Sequence, residues 1–323
     1  MELNKRNIEI WSRMGSRATF GMVILEIEKN YPNLMVLTCD TSTSAGLDRF
    51  RKSVPNKFLE VGIAEQNMIG IASGLAAENF KVITTTFSPF QTMRCCEQIK
   101  VQLGYMQRNI CMVGLASGIV LGNLGYTHCG IEDISIIRSI PEITILSPAD
   151  CGETSKCIDA SLKYEKPCYI RLTGGPNNPS VFKEDYDFKI GKGIKLLEDG
   201  DVALIATGTM VYKSLNVANE LKKYNINCSV TNIHTIYPID EKLIIDIIKK
   251  SKIIITLEEH SVVGGLGSSI AEINVKQKSP KPQLFIGLPK KYSKSGDYEY
   301  LMDFFGLSEE KIILNIKNYL KNF

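Results

Sequence analysis

Three stretches of the sequence carry the residue types most able to do chemistry. In Lys57 to Asn67, Glu65 and Gln66 stand at the mouth of an otherwise apolar helical run. A carboxylate there is either a charge favoured by the helix dipole or a buried acid with a task. Thr84 to Phe90 sets Phe87 and Phe90 in a strand-to-helix loop, where two aromatics alone read as core. Gly122 to His128 brings a histidine between glycine turns, followed by Glu132 and Asp133. A lone histidine is usually structural, but one in a glycine-rich loop beyond a parallel strand is well placed for proton transfer. A fourth stretch, Gly264 to Ser269, opens a helix after a strand. It suits either an anion at the helix N-terminus or close packing of helix on strand. No phosphate-binding G-x-x-x-x-G-K-[ST] loop, H-E-x-x-H pair or G-x-S-x-G elbow occurs.

Positioning these residues requires alternating strands and helices. The pattern predicts a helix over 8–29, then strand 34–38, helix 63–79, strand 81–86, helix 90–103, strand 110–115, helix 131–139, strand 144–147, helix 151–164 and strand 168–172. The turn-rich segment Gly174 to Pro179 interrupts it. Alternation resumes with strand 202–206, helix 210–224, strand 228–232, helix 241–250, strand 253–257, helix 267–276, strand 284–286 and helix 309–320. Continuous apolar strands between helices imply an α/β fold of two domains, 1–180 and 181–323, each a mainly parallel sheet flanked by helices. Ligands in such sheets lie beyond the carboxyl ends of the strands, which points to the loops after Thr38, Thr86, Leu115 and Leu172.

At 323 residues, with 44% hydrophobic and 23% charged residues, the chain is long enough for both domains and ordinary for a globular protein. A formal charge of +3, with only short lysine runs at 249–252 and 290–291, argues against nucleic-acid or membrane-surface binding. No apolar signal core or membrane span is visible. Nine cysteines without a C-x-x-C pair read as reduced thiols, and so as a cytoplasmic protein with no metal site of its own.

Together these residues resemble the C-terminal half of the transketolase family. The carrying motifs are Phe58 to Asn67, Thr86 to Phe90 with Arg94 and Glu97-Gln98, Tyr126 to His128, Glu132 to Ile134, Ser147 to Asp150, and Gly287 to Gly296. They span nearly the whole chain in order. The resemblance is to split transketolases, whose second subunit carries the pyrimidine-binding and C-terminal domains. It implies use of thiamine diphosphate in transferring a two-carbon ketol unit between sugars or sugar phosphates. By resemblance, Glu65 is the acid that hydrogen-bonds the cofactor's pyrimidine, Phe90 stacks on that ring, Phe87 lines the pocket, and Asp40 and Arg94 lie beside it. His128 would reach the reacting carbonyl. Arg17, Ser44 and Arg171 match positions that hold a sugar phosphate.

The chain departs from the family at the substrate end. Leu124 replaces an aspartate that reads a substrate hydroxyl, Ala116 an upstream histidine, and Met93 a frequent aromatic. Fewer polar contacts imply a different sugar. The family's Gly-Asp-Gly…Asn motif for diphosphate and Mg²⁺ is also missing, so an N-terminal-type partner subunit is expected to supply it, in a heterotetramer. Two alternatives stay open: the beta subunit of a 2-oxo acid dehydrogenase decarboxylase, and a non-catalytic scaffold subunit.

Overall fold

The computed structural model describes residues 2–322. Its first sheet is built from β1 (Leu34–Thr38), β2 (Phe58–Glu60), β3 (Lys81–Phe87), β4 (Ile110–Leu115), β5 (Thr144–Leu146) and β6 (Cys168–Arg171). The second holds β7 (Ile194–Leu197), β8 (Val202–Ala206), β9 (Cys228–Asn232), β11 (Ile253–Ser261) and β12 (Gln283–Leu288). The remaining strand, β10 (Thr235–Tyr237), leaves the second half and pairs antiparallel with β5. The orders are β10-β5-β6-β4-β3-β1-β2 and β12-β11-β8-β9-β7. Apart from β10 with β5 and β7 with β9, every pairing is parallel.

Parallel strands must be covered on both faces, which explains their unbroken apolar runs. Every residue of β4 is buried, and so is every residue of β8. One apolar cluster runs through both sheets, joining Leu37, Met68 and Tyr169 to Ile205, Ile233, Ile254 and Ile270. The halves therefore share a core, and β10 carries residues expected in the second domain onto the edge of the first sheet.

The expected helix over 8–29 is two helices, Lys5–Met14 and Ser16–Ile27, parted at Gly15 with φ 83°. A Cβ at Gly15 would stand 2.6 Å from the Gly175 carbonyl oxygen, so the break lets the chain pass close to the loop after β6. The expected helix over 90–103 is also divided, into Ser88–Gln91, Cys96–Ile99 and a wider π-turn at Lys100–Tyr105. Because β6, β4, β3, β1 and β2 are neighbours, their carboxyl ends form one edge of the sheet.

Candidate active site

Glu65 is the first residue of the helix Glu65–Ala77 and is only 4% exposed. Its Oε1 accepts a hydrogen bond from Arg94 Nη1 at 2.5 Å, and Gln66 Nε2 donates to the Arg94 carbonyl. The Arg94 guanidinium lies 3.9 Å over the Phe90 ring. Phe90 and Phe87 meet edge to face at 6.2 Å. The His128 ring stands edge-on to both, 5.2 Å from Phe90 and 6.1 Å from Phe87, and its Nδ1 is 3.0 Å from Thr127 Oγ1. Glu65, Arg94, Phe90, Phe87 and His128 thus form one connected group.

Each member is delivered by a separate feature of the chain. β3 is buried from Val82 to Thr86, and Pro89 then starts a short helix that turns Phe90 back beside Phe87. His128 is held by a tight turn in which its own N–H donates to the Gly125 carbonyl. The division of the helix over 90–103 leaves Arg94 in a turn, from which it reaches both Phe90 and Glu65.

The sequence-derived anion positions separate. Arg17 and Ser44 line a cleft of about 190 Å³ together with Gly174, Gly175 and Pro176. Burial lowers the pKa of Arg17, and no carboxylate among the described residues pairs with it. A desolvated cation in a cleft is suited to an anion. Arg171 is not in that cleft. It is 1% exposed, its Nε donates to both oxygens of Asp133 at 3.0 and 2.8 Å, and its Nη2 donates to the carbonyls of Gly130 and Glu259. Its charge is spent inside the protein, which corrects the expectation that it grips a phosphate. Burial opposes ionisation of Asp133, but the charge of Arg171, the nearby His260 and the hydrogen bonds from Tyr169 and Arg171 together outweigh it and hold the carboxyl below the usual range.

Asp40 is exposed at φ 53° just beyond β1. Its N–H and that of Gly62 both donate to Glu60 Oε1, a carboxylate inside the Phe58 to Asn67 motif to which the sequence assigns no role. Leu124 is 54% exposed in a short turn, whereas Ala116 is buried at φ 50°. Neither supplies a polar group. The glycine-rich start of the helix Leu266–Asn274 does hold an anion, but an internal one. Glu258 accepts from the N–H groups of Leu266 and Gly267 at 2.8 and 2.9 Å.

The group fits the pyrimidine end of thiamine diphosphate. It offers a buried carboxylate for a ring nitrogen, aromatic faces for the ring, and a histidine beyond. Among the described residues, no group of three or more His, Cys, Asp or Glu could hold a metal ion. No helix among the described residues is long and apolar enough to cross a membrane.

Known proteins resemble the chain over nearly its whole length. Residues 12–175 match the family described as Transketolase, pyrimidine binding domain, and residues 191–312 match Transketolase, C-terminal domain. The 6-deoxy-6-sulfo-D-fructose transketolase subunit of Clostridium sp. (strain MSTE9) is 35% identical over 92% of both chains. An apulose-4-phosphate transketolase subunit of Phocaeicola vulgatus is 33% identical, over 94% of this chain and 97% of that one. A solved structure described as a split gene transketolase, inactive beta4 tetramer, superposes with a TM-score of 0.85 at 30% identity, over 95% of this chain and 98% of that chain. The chain belongs to the transketolase family and comprises its pyrimidine-binding and C-terminal domains.

Proposed function

We propose that this chain is the pyrimidine-binding subunit of a two-chain, thiamine diphosphate-dependent transketolase that moves a two-carbon ketol unit between sugars or sugar phosphates. The observation that carries the reading is the connected group Glu65, Arg94, Phe90, Phe87 and His128 at the carboxyl edge of the first sheet. When bound, thiamine diphosphate supplies an electron sink for carbon–carbon cleavage. Glu65 holds a hydrogen bond at the pyrimidine N1′, with Arg94 and Asp40 beside the ring. Phe90 and Phe87 give the ring its slot and exclude water from it. His128 donates a proton to the substrate oxygen, or takes one, as the bond breaks or forms. Arg17 and Ser44 hold the anionic end of the sugar.

A partner subunit holds the diphosphate and Mg²⁺, and the working assembly is a heterotetramer. Matches to separate transketolase subunits over more than nine-tenths of their length support this, as does the description of the related beta4 tetramer as inactive. Nine unpaired thiols, eight of them buried, suit a reducing cytoplasm.

The donor is not an ordinary ketose phosphate. An apolar residue cannot replace a carboxylate's hydrogen bonds to a sugar hydroxyl, which are worth ~2–4 kcal/mol in discrimination. Two relatives are named for a sulfonated fructose and for apulose 4-phosphate, which accords with altered donor reading. Steady-state kinetics of the reconstituted complex on a donor panel test this, with Leu124→Asp beside wild type. The wild-type complex should favour a deoxygenated or modified ketose, and Leu124→Asp should move preference toward xylulose 5-phosphate. Wild-type efficiency on xylulose 5-phosphate or fructose 6-phosphate as high as on any other donor tested would refute the specificity argument.

A further inference from the structure

The Phe87–Phe90 slot rests on very little local structure. Both rings are only half-buried, and the helix between them, Ser88–Gln91, has four residues. A helix that short does not hold itself. What fixes it is Ser88, which is fully buried. Its Oγ donates to Asp133 Oδ2 at 3.0 Å and lies 2.9 Å from Tyr169 Oη, which donates to the same Asp133 oxygen at 2.7 Å. The junction is tightly enclosed. A Cβ at Gly130 would stand 2.3 Å from Ser88 Oγ, and one at Gly114 would stand 2.3 Å from Tyr169 Oη. Thr92 closes the far side of the turn, its N–H and hydroxyl both donating to the Ser88 carbonyl.

The same junction reaches the second half of the molecule. Asp133 is held by Arg171, whose Nη2 donates to the Glu259 carbonyl on β11 at 2.7 Å. His260, the next residue of β11, brings Nε2 to 3.7 Å from Asp133 Oδ1. A chain of direct contacts therefore runs from β11 through Arg171, Asp133 and Ser88 to the backbone carrying Phe87 and Phe90.

Resting on the functional reading above, we infer that Ser88 is a positioning residue: anchored by Asp133 and Tyr169, it sets the aromatic slot for the cofactor's ring, and Arg171 ties that setting to the second domain. The role assigned to Arg171 is thus internal alignment in place of phosphate binding.

Ser88→Ala and Tyr169→Phe test this beside Tyr186→Phe, which removes a phenol from buried Glu153 away from the slot. Two readouts are needed. The first is fluorine NMR of the full chain carrying fluorophenylalanine, without cofactor. The Phe87 and Phe90 resonances should shift or broaden in Ser88→Ala and Tyr169→Phe and stay unchanged in Tyr186→Phe. The second is calorimetric titration of thiamine diphosphate into the complex with the diphosphate-binding partner. There Kd should rise about tenfold in Ser88→Ala, the worth of one buried hydrogen bond, with a smaller loss of turnover at saturating cofactor. Unchanged Phe87 and Phe90 resonances in both slot variants would overturn the inference. So would a Kd that follows thermal stability alike in all three variants. A wild-type complex that binds no thiamine diphosphate would instead overturn the functional reading, while the fluorine spectra would still decide the role of Ser88.

Discussion

Glu65 meets two demands at once. As the first residue of an apolar helix it is favoured by the helix dipole, and in the proposed reading its carboxyl, only 4% exposed and beside Phe90 and Phe87, holds a ring nitrogen. Glu65→Gln separates them. The amide oxygen still accepts from Arg94, whose half-exposed pair with Glu65 contributes ~1 kcal/mol or less, so fold and assembly should persist. The amide cannot give up and recover a proton, and turnover of the complex should fall by ~10²–10⁴-fold. Donor cleavage by a folded Glu65→Gln complex at near wild-type rate would refute the catalytic assignment. The gathering of Glu65, Phe87, Phe90, Arg94 and His128 was expected only through the family resemblance, because taken singly the carboxylate, the two aromatics and the histidine each allow a purely structural reading. Arg171 was not legible. Its partner Asp133 is 38 residues away, and a strand-end arginine reads alike whether it faces a ligand or the interior.

At the scale of elements, the uninterrupted apolar strands β4 and β8 were read to the residue, and so were the more polar β9 and the amphipathic helices Glu241–Lys250 and Glu309–Leu320. What escaped were elements whose stability comes from elsewhere in the chain. β7 and β10 are short strands at sheet edges, and β2 is three residues long. β11 was expected over 253–257, yet it runs on through Glu258, Glu259 and His260, all three buried. Their polar groups are satisfied by distant partners: Glu259 accepts from Ile119 N–H, Thr209 Oγ1 and Tyr298 Oη. Glu258 closes the start of the helix Leu266–Asn274, and burial pushes its pKa up to about 7. Glu258→Ala should therefore cost ~1–3 kcal/mol by leaving two buried N–H groups without an acceptor. Glu258→Gln, which keeps an acceptor, should recover much of that loss. Equal urea midpoints for the two variants would contradict this account of the helix start.

For the molecule as a whole, the two halves are joined by a shared apolar core and by buried carboxylates that cross between them. Glu153, in the helix Cys151–Lys163, accepts from Asn232 Nδ2 on β9 and from Tyr186 Oη in the segment between the sheets. Burial pushes its pKa up to about 7 from an ordinary 4.5. With the folded value above the unfolded one, the unfolded chain loses this proton first as pH rises. Stability from this group is present below the unfolded value and is lost as pH rises through the folded one. In Glu153→Gln the Asn232 amide can turn its unpaired Oδ1 toward the new NH₂ group. Relative to wild type, that variant should gain ~1–3 kcal/mol between roughly pH 5 and 8 in thermal or urea unfolding. A constant stability difference across that range would rule out Glu153 as the titrating group. The central claim concerns a half-site, with the pyrimidine end here and the diphosphate end on a partner. Its most direct test is calorimetric titration of thiamine diphosphate with Mg²⁺ into the isolated chain and into the chain reconstituted with its partner subunit. The account predicts no saturable binding to the isolated chain and tight, Mg²⁺-dependent binding to the complex; tight, Mg²⁺-dependent binding to the chain alone would contradict it.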